Sequence, residues 1–353
     1  MRILYLILVS LFSILFLFSL CMMTLGKIFS QPGYTGEKSD HFNGTIFKNT
    51  GQVPSKGLFD VLKWYMTREQ GEWTEVSESE VSFAEPQSSP PDSGMVVTYV
   101  NHSTFLIQTA GMNILTDPVW SDRVSPLSFA GPKRFRPPGI RFEDLPNIDL
   151  IIISHNHYDH LDIETLRRLN DRFEPLVITP LGVSEYLNQE GINQTAELDW
   201  WEENTLSDSF KVHSVPAQHF SGRGLYDRDK TLWSGYLIEA GGRKIYFAGD
   251  TGYGDFFNEI GSRFAPIDLG LIPIGAYQPR WFMKPMHIDP SEAIQAHKDI
   301  GAVKSFGMHF NTFPMADDGM QDPLNDLQKA LENSNPGPVD FSVAQEGRSI
   351  RLF

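Results

Sequence analysis

The chain has 353 residues and a formal net charge of −15, with 29 Lys and Arg against 44 Asp and Glu. That length allows one large domain or two small ones, with a core that needs no covalent staples. A single cysteine, Cys21, excludes an intrachain disulfide framework and any metal site built on several thiolates, and the acidic balance argues against general nucleic-acid binding.

From Ile3 to Gly26 no side chain is charged, and Arg2 and Lys27 flank the run. As a helix rising about 1.5 Å per residue, it is long enough to cross a bilayer. A cleaved signal peptide has a shorter apolar stretch of roughly 7–15 residues and a small-residue cleavage site, and neither fits here. Cys21 follows Leu20, not the small residue expected before a lipidated cysteine. Residues 1–27 are therefore expected to form an uncleaved, single-pass transmembrane anchor, in the inner membrane of a bacterium. Arg2 favours a cytoplasmic N-terminus, but Lys27 and Lys38 weaken that bias, so the side holding the rest of the chain is open.

Residues 28–94 read as a spacer and irregular N-terminal region. Their first part is rich in Gly, Ser, Asn and Pro, and 76–94 is polar and Pro/Ser-rich. Between them a short helix is expected over Leu58–Arg68, with Phe59, Leu62, Trp64 and Tyr65 as its apolar residues. From Gly94 the texture changes. MVVTYV, TFLIQT, NILTDP, IDLIIIS, PLVITP, FKVHSVPA, RKIYFAGD, LGLIPIG and VKSFGMHF are β-rich runs ending in polar residues or glycine. Helical patterns lie between several of them, at Ile163–Asn170, Gly182–Gln189 and Pro290–Ile300. Strand then helix, repeated, predicts a layered α/β domain over 95–353, with functional residues just past the strand ends.

The densest chemistry is Ser154-His155-Asn156-His157-Tyr158-Asp159-His160-Leu161-Asp162, directly after an apolar strand. Three of the chain's 10 His and two Asp fall together here. Neutral imidazoles and carboxylates suit zinc, iron or manganese. Two metals need more ligands, and His219, Asp250 and His309 each end a later strand. Five His and two Asp suffice for two metals if Asp250 bridges, leaving each metal room for a shared hydroxide. Asp162 either supports a ligand imidazole or caps the helix starting at Ile163. His102, after the first strand, is a structural or a pocket residue. His41 and His213 read as structural, His297 as a helix-face residue, and His287 as either a loop residue or a pocket contact.

The ordered pattern HxHxDH, then His, Asp and His, resembles the metallo-β-lactamase superfamily. The resemblance implies a four-layer αββα sandwich of α/β (α+β) class behind the transmembrane helix. It places His155, His157 and His219 on a first metal, Asp159, His160 and His309 on a second, and Asp250 between them. It gives Asp250 and Asp159 catalytic roles as well. His157, where iron-dependent oxidoreductase members usually carry Glu, favours a hydrolase. The longer stretches ISHNHYDHLD, LDWWEEN, AGDTGY and IPIGAYQPRWFM, with GPKRFR and EIGSRFAP, are similar to the N-acyl-phosphatidylethanolamine-hydrolysing phospholipase D subfamily over about 95–353. That implies two zinc ions, with other divalent metals acceptable. It also implies hydrolysis of a membrane phospholipid to N-acylethanolamine and phosphatidic acid, and a homodimer. Tyr158 is then a phosphate contact or packs beneath the ligand loop, and His287 is a substrate contact. A lactone or other carbonyl substrate is the alternative.

The chemistry of residues 123–141 fits a lipid phosphodiester. Arg123, Lys133, Arg134, Arg136 and Arg141 concentrate five cations in an acidic chain, with Phe129 and Phe135 among them. They form a headgroup-contacting surface or an ordinary solvated loop. Trp200 and Trp201 are expected in the core, and Trp281-Phe282 either there or facing lipid.

Overall fold

The computed structural model describes all residues except 1, 52, 55 and 335–338. Helix α1 (Arg2–Phe29) is long and apolar enough to cross a membrane, and none of its apolar window is buried against the rest of the chain. Helix α2 (Leu58–Thr67) forms where a short helix was expected and ends one residue earlier.

Two seven-stranded sheets follow. The first sheet takes β1 (Met95–Asn101), β2 (Thr104–Thr109), β3 (Met112–Thr116), β4 (Leu150–Ile152), β5 (Leu176–Pro180) and β6 (Thr195–Leu198). The second takes β7 (Glu203–Ser207), β8 (Phe210–Val215), β9 (Gly235–Ala240), β10 (Arg243–Phe247), β11 (Ile267–Pro273), β12 (Ala302–Met308) and β13 (Phe341–Ser342). The last strand, β14 (Ser349–Leu352), returns to pair with β1, so the orders are β14-β1-β2-β3-β4-β5-β6 and β13-β12-β11-β10-β9-β8-β7. Helices α3 (Ile163–Phe173), α4 (Ser184–Gln189), α5 (Phe256–Phe264), α6 (Arg280–Met283), α7 (Pro290–Asp299) and α8 (Asp322–Glu332), with short 3-10 turns at Glu78–Glu80 and Phe142–Asp144, complete the described elements.

Alternation along the strands explains the layering. In β1, β2 and β4, Met95, Val97, Phe105, Ile107, Leu150 and Ile152 join one core with residues of the second sheet. Their neighbours Val100, Leu106 and Ile151 point the other way and pack under Leu166 and Leu169 of α3 and Leu187 of α4. Successive side chains on a strand take opposite faces, so a strand apolar at every position must be covered on both. The result is the αββα sandwich.

The stretch ahead of β1 is irregular but not free. Phe42 and Phe47 are buried against Trp200, Leu232 and Trp233, and the His41 ring stacks on Trp200 at 4.5 Å. Of the five cations in 123–141, three turn to structural work. Arg134 is buried and donates to the Ser121 and Val119 carbonyls, Arg136 pairs with Glu346, and Arg141 lies over Phe83. Lys133 and Arg141 are exposed and Arg123 is half-buried against the Gly131 carbonyl, while Arg134 and Arg136 point inward, so the five do not form one cationic patch.

Candidate metal centre

The loops after β3, β4, β8, β10 and β12 gather at one end of the sandwich. His155, His157, Asp159 and His160 come from the loop after β4; His219, Asp250 and His309 follow β8, β10 and β12. His219 and Asp250 lie a few residues beyond the strand ends, not at them as the sequence suggests.

Their donor atoms form two adjoining clusters. In the first, His155 Nε2 is 2.8 Å and His219 Nε2 3.3 Å from His157 Nδ1. In the second, Asp159 Oδ2 is 3.3 Å from both His160 Nε2 and His309 Nε2. One oxygen, Asp250 Oδ2, reaches His160 Nε2 at 3.2 Å, His309 Nε2 at 3.1 Å and His219 Nε2 at 3.8 Å, so it touches both. Two donors of one tetrahedrally held ion, each about 2.1 Å from it, sit about 3.4 Å apart. The observed spacings match that figure. His160 Nε2 and Asp250 Oδ1 are also buried without a hydrogen-bond partner. Buried polar atoms are rarely left unpaired, so the residues present fit a pair of metal ions.

Burial and neighbouring charge set the protons. Burial and the surrounding imidazoles hold His155 far below the ordinary histidine value, and burial lowers His157 to about 4. His219 is likewise lowered, chiefly by burial. These three are neutral, as metal ligands must be. In the second cluster burial is outweighed by carboxylates: Asp250, Asp159 and Asp117 hold His160 well up, and Asp250 and Asp159 raise His309 to about 9. Asp159 and Asp250 stay ionised because His160 beside them overrides the burial that would raise them.

The supporting side chains explain the aim of each ligand. Asp117, just past β3, accepts from His160 Nδ1 at 2.6 Å, from Ser154 N–H at 2.7 Å and from Ser154 Oγ at 2.5 Å. That bond turns His160 Nε2 toward the site. His102 Nε2 donates to Asp159 Oδ2 at 3.0 Å, settling its role as a residue of the centre. The Met286 carbonyl accepts His219 Nδ1–H at 3.0 Å, and Asn49, from the irregular N-terminal stretch, bonds both backbone groups of His219. The sequence reading missed Asp117 and Asn49. Asp117 sits at a strand end as the ligands do, and that position was the available signal; nothing in the sequence singled out Asn49.

His102, Asp117 and His309 all take left-handed backbone conformations, at φ 46°, 32° and 61°. Such conformations cost non-glycine residues about 1–3 kcal/mol each and collect at functional sites. Beside them Gly249, at φ 60°, leaves no room for a side chain: a Cβ would fall 2.6 Å from Ser154 Cβ.

Other expectations sort plainly. Asp162 is a cap for α3 and a brace for the next loop, accepting from Thr165, Trp120 and Ser121. His297 bonds Ser305 on β12, and His213 lies between Glu203 and Glu239, both away from the centre. Above the donors is a cavity of about 380 Å³. His287 and Tyr158 line it, with His287 Nδ1 3.9 Å from Asp250 Oδ2. The Tyr158 hydroxyl donates to the Arg223 carbonyl and its ring lies under the Arg223 guanidinium, so only its ring wall is free for a ligand. Apolar side chains, among them Trp64, Phe282, Met283 and Met315, form the opposite wall.

The sequence profile of the Beta-lactamase superfamily domain matches residues 112–310. The chain belongs to the beta-lactamase superfamily. Within the superfamily, it is 42% identical over 257 residues to the N-acyl-phosphatidylethanolamine-hydrolyzing phospholipase D 1 of Caenorhabditis elegans, covering 69% of this chain and 72% of that protein. The mitochondrial enzyme of that name from Saccharomyces cerevisiae is 38% identical over 228 residues, covering 63% of this chain and 48% of its own. Among solved structures, a metallo hydrolase from Ignicoccus hospitalis superposes with a TM-score of 0.57 at 26% identity, over 74% of this chain and 99% of that one. Superfamily membership and these relatives make the chain a metal-dependent hydrolase with a divalent-metal centre.

Proposed function

We propose that the chain is a membrane-anchored dinuclear zinc phosphodiesterase. Its substrates would be N-acyl-phosphatidylethanolamine-type phospholipids, cleaved to N-acylethanolamine and phosphatidic acid. The observation that carries the reading is the cavity above the donors, with a floor of ligand side chains and a wall of aromatic and methionine side chains. Such a cavity suits an amphiphile with a phosphodiester at one end. The two phospholipase relatives support the same substrate class. Imidazole-rich donor sets suit zinc, though manganese or iron also accept them.

His155, His157 and His219 would hold one ion, Asp159, His160 and His309 the other, and Asp250 would bridge. When bound, the ions supply Lewis acidity toward a phosphoryl oxygen and lower the pKa of water enough to give a nucleophile near neutral pH. The chain's own residues do the rest. Asp117 and His102 fix the aim of His160 and Asp159. Asp250 and Asp159 offset the charge of the ions, and give up ion pairs with His160 and His309 when these lose their protons. His287 and the Tyr158 ring line the floor where the headgroup would lie. The apolar wall takes acyl chain and keeps water from the rest of the cavity. Helix α1 is assigned as the anchor, and a bacterial inner membrane is its proposed location.

Mass spectrometry of a total lipid extract treated with purified protein tests the reading. N-acylethanolamine and phosphatidic acid should appear together and vanish with a chelator. Turnover of a lactone panel without any phosphatidic acid would replace the phosphodiesterase reading with a carbonyl hydrolase.

A further inference from the structure

Outside α1, the exposed apolar side chains of the described residues are not scattered. Apart from Val303 and Phe353, every large one lies on α2, on the hairpin formed by residues 123–133, on the loop at 220–230, or on α6. Each of these four segments also lines the metal cavity, through Val61, Val124, Phe220 and Phe282 respectively. The apolar surface is therefore a rim around the cavity mouth.

Helix α2 shows the arrangement best. Its Trp64 turns inward, stacking on Phe282 at 5.0 Å and donating Nε1–H to Asp317. Leu58, Phe59, Leu62, Tyr65 and Met66 face away, at the spacing of one helical stripe, and Phe59 is 86% exposed. Soluble monomers rarely leave a patch of this kind uncovered. Cations lie among the apolar groups: Lys63 over Trp281, Lys284 just after α6, Lys133 on the hairpin and Arg228 on the loop, all exposed in a chain of net charge −15, the last three also reaching the carboxylates of Glu292, Glu75 and Asp229. An apolar helix face set among basic residues is the composition of a segment lying in the interface of an anionic bilayer.

The end of α1 meets the same rim. The Gly26 carbonyl accepts from Leu225 N–H, Ser30 Oγ accepts from Tyr226 N–H, and the buried Asp227 carboxylate accepts from Gln31 N–H. Phe29 also borders a groove shared with Arg123 and Ser128 of the hairpin. Loop 223–227 thus holds α1 and carries two of the exposed apolar side chains, Leu225 and Tyr226. Its Arg223 reaches from there into the ligand loop, donating to the Asn156 and Leu161 carbonyls.

We propose that the rim is a bilayer-docking face, and that the metal cavity opens onto the same leaflet from which α1 emerges. The chain then draws lipid in cis, from the membrane that holds it. The occupant is a bilayer and not a second copy, because the span and the rim share one loop. The inference rests on the proposed role of α1 as anchor, but not on which lipid bond is cleaved.

The test uses the whole chain reconstituted in vesicles of phosphatidylcholine with a minority of phosphatidylglycerol. One variant carries an environment-sensitive fluorophore on the native Cys21, which lies in α1. Three more carry it at Phe59→Cys, Phe129→Cys or Val303→Cys on a Cys21→Ser background. Quenching by lipid-borne nitroxide should be several-fold stronger at 21, 59 and 129 than at 303. Strong quenching at 21 with 59 and 129 no more quenched than 303 would overturn the docking face while leaving the anchor standing. Absence of quenching at 21 would overturn both. No outcome depends on turnover, so the phospholipase reading stands or falls separately.

Discussion

Asp117→Asn is the sharpest probe of how the centre is held. Asp117, Ser154 and His160 are all buried, and the carboxylate serves three donors through two oxygens. An amide of the same shape keeps one oxygen. If that oxygen stays on Ser154 N–H, the new –NH₂ faces His160 Nδ1–H, and two donors meet. His160 must then shift its proton to Nε2, the atom that points at the ligands, or leave a buried donor unpaired at about 1–3 kcal/mol. Loss of such a supporting bond typically lowers metal affinity about 10–100-fold, equivalent to about 1.4–2.7 kcal/mol. Competition with a calibrated chelator, read by metal analysis of the recovered protein, measures this directly. The second ion should weaken within that range and the first much less, because His155, His157 and His219 make no bond to Asp117. Asp162→Asn is the control: Asn still caps α3, but its –NH₂ cannot accept from the 120–121 backbone and the Thr165 hydroxyl, so stability should fall by about 1 kcal/mol with affinity unchanged. If Asp117→Asn held both ions within about threefold of the parent, Asp117 would not be aiming His160, and the tautomer argument would fail.

Other expectations follow from the same geometry. Asp250→Asn should abolish detectable hydrolysis and reduce metal content toward one ion per chain, because one oxygen serves both clusters; two retained ions with normal turnover would refute bridging. The two ions should differ in pH response. Binding at the second cluster must expel the proton His309 keeps up to about 9, so its affinity should rise through pH 7 to 9, while at the first cluster His157, lowered to about 4, is already neutral; titrations with equal slopes would contradict this. Metal removal should lower the melting temperature. A ligand at about 100 times its Kd adds about 2.7 kcal/mol, and a chain of this size shifts between about 1 and 2 °C per kcal/mol, so calorimetry should register a fall of about 3–5 °C. Finally, His41 is raised above its ordinary value of about 6.5 because hydrogen bonds to Asp199 and Asp40 outweigh its burial. Its contribution to docking residues 39–49 is therefore complete below about pH 6.5 and lost as pH rises through the raised value. Hydrogen exchange at Phe42 and Phe47, corrected for intrinsic rate, should show that loss, and Asp199→Asn should remove it.

The sheets were legible where burial on both faces writes itself as a continuous apolar run. β1, β2, β4, β5 and β11 read directly for that reason. β6 and β7 did not, because the two strands lie at sheet edges and TAEL and ENTLS each carry a single large apolar side chain. β9 escaped notice although GYLIEA is mostly buried, and β13 and β14 are too short to show a period. A composition rich in Gly, Ser, Asn and Pro was read as irregular chain in 28–56, correctly for the backbone. Composition says nothing about where two phenylalanines will be buried, and Phe42 and Phe47 found Trp200 and Trp233, far along the chain.

The centre was legible in proportion to how local it is. Four donors fall within His155–His160, so one loop displays them, and strand-end placement finds the other three. What holds those donors is not local. Asp117 meets His160 across 43 positions and His102 meets Asp159 across 57, and a strand-end position, the one mark each carries, does not say which ligand it will hold. The conformation of the backbone is the second hidden layer. His102, Asp117 and His309 are strained, and that strain persists only because packing and hydrogen bonds over-determine it. The Thr312 hydroxyl accepts His102 N–H, and the His102 carbonyl accepts both His309 N–H and the Tyr99 hydroxyl, so one strained turn braces another. All three strained residues belong to the second cluster or its supports, and none to the first. The second cluster is therefore the one whose geometry the fold enforces against local preference, and the one where charge must be balanced by proton or metal. Residue type alone identifies the donors; only the folded chain separates a cluster of neutral imidazoles from one built on paired charges.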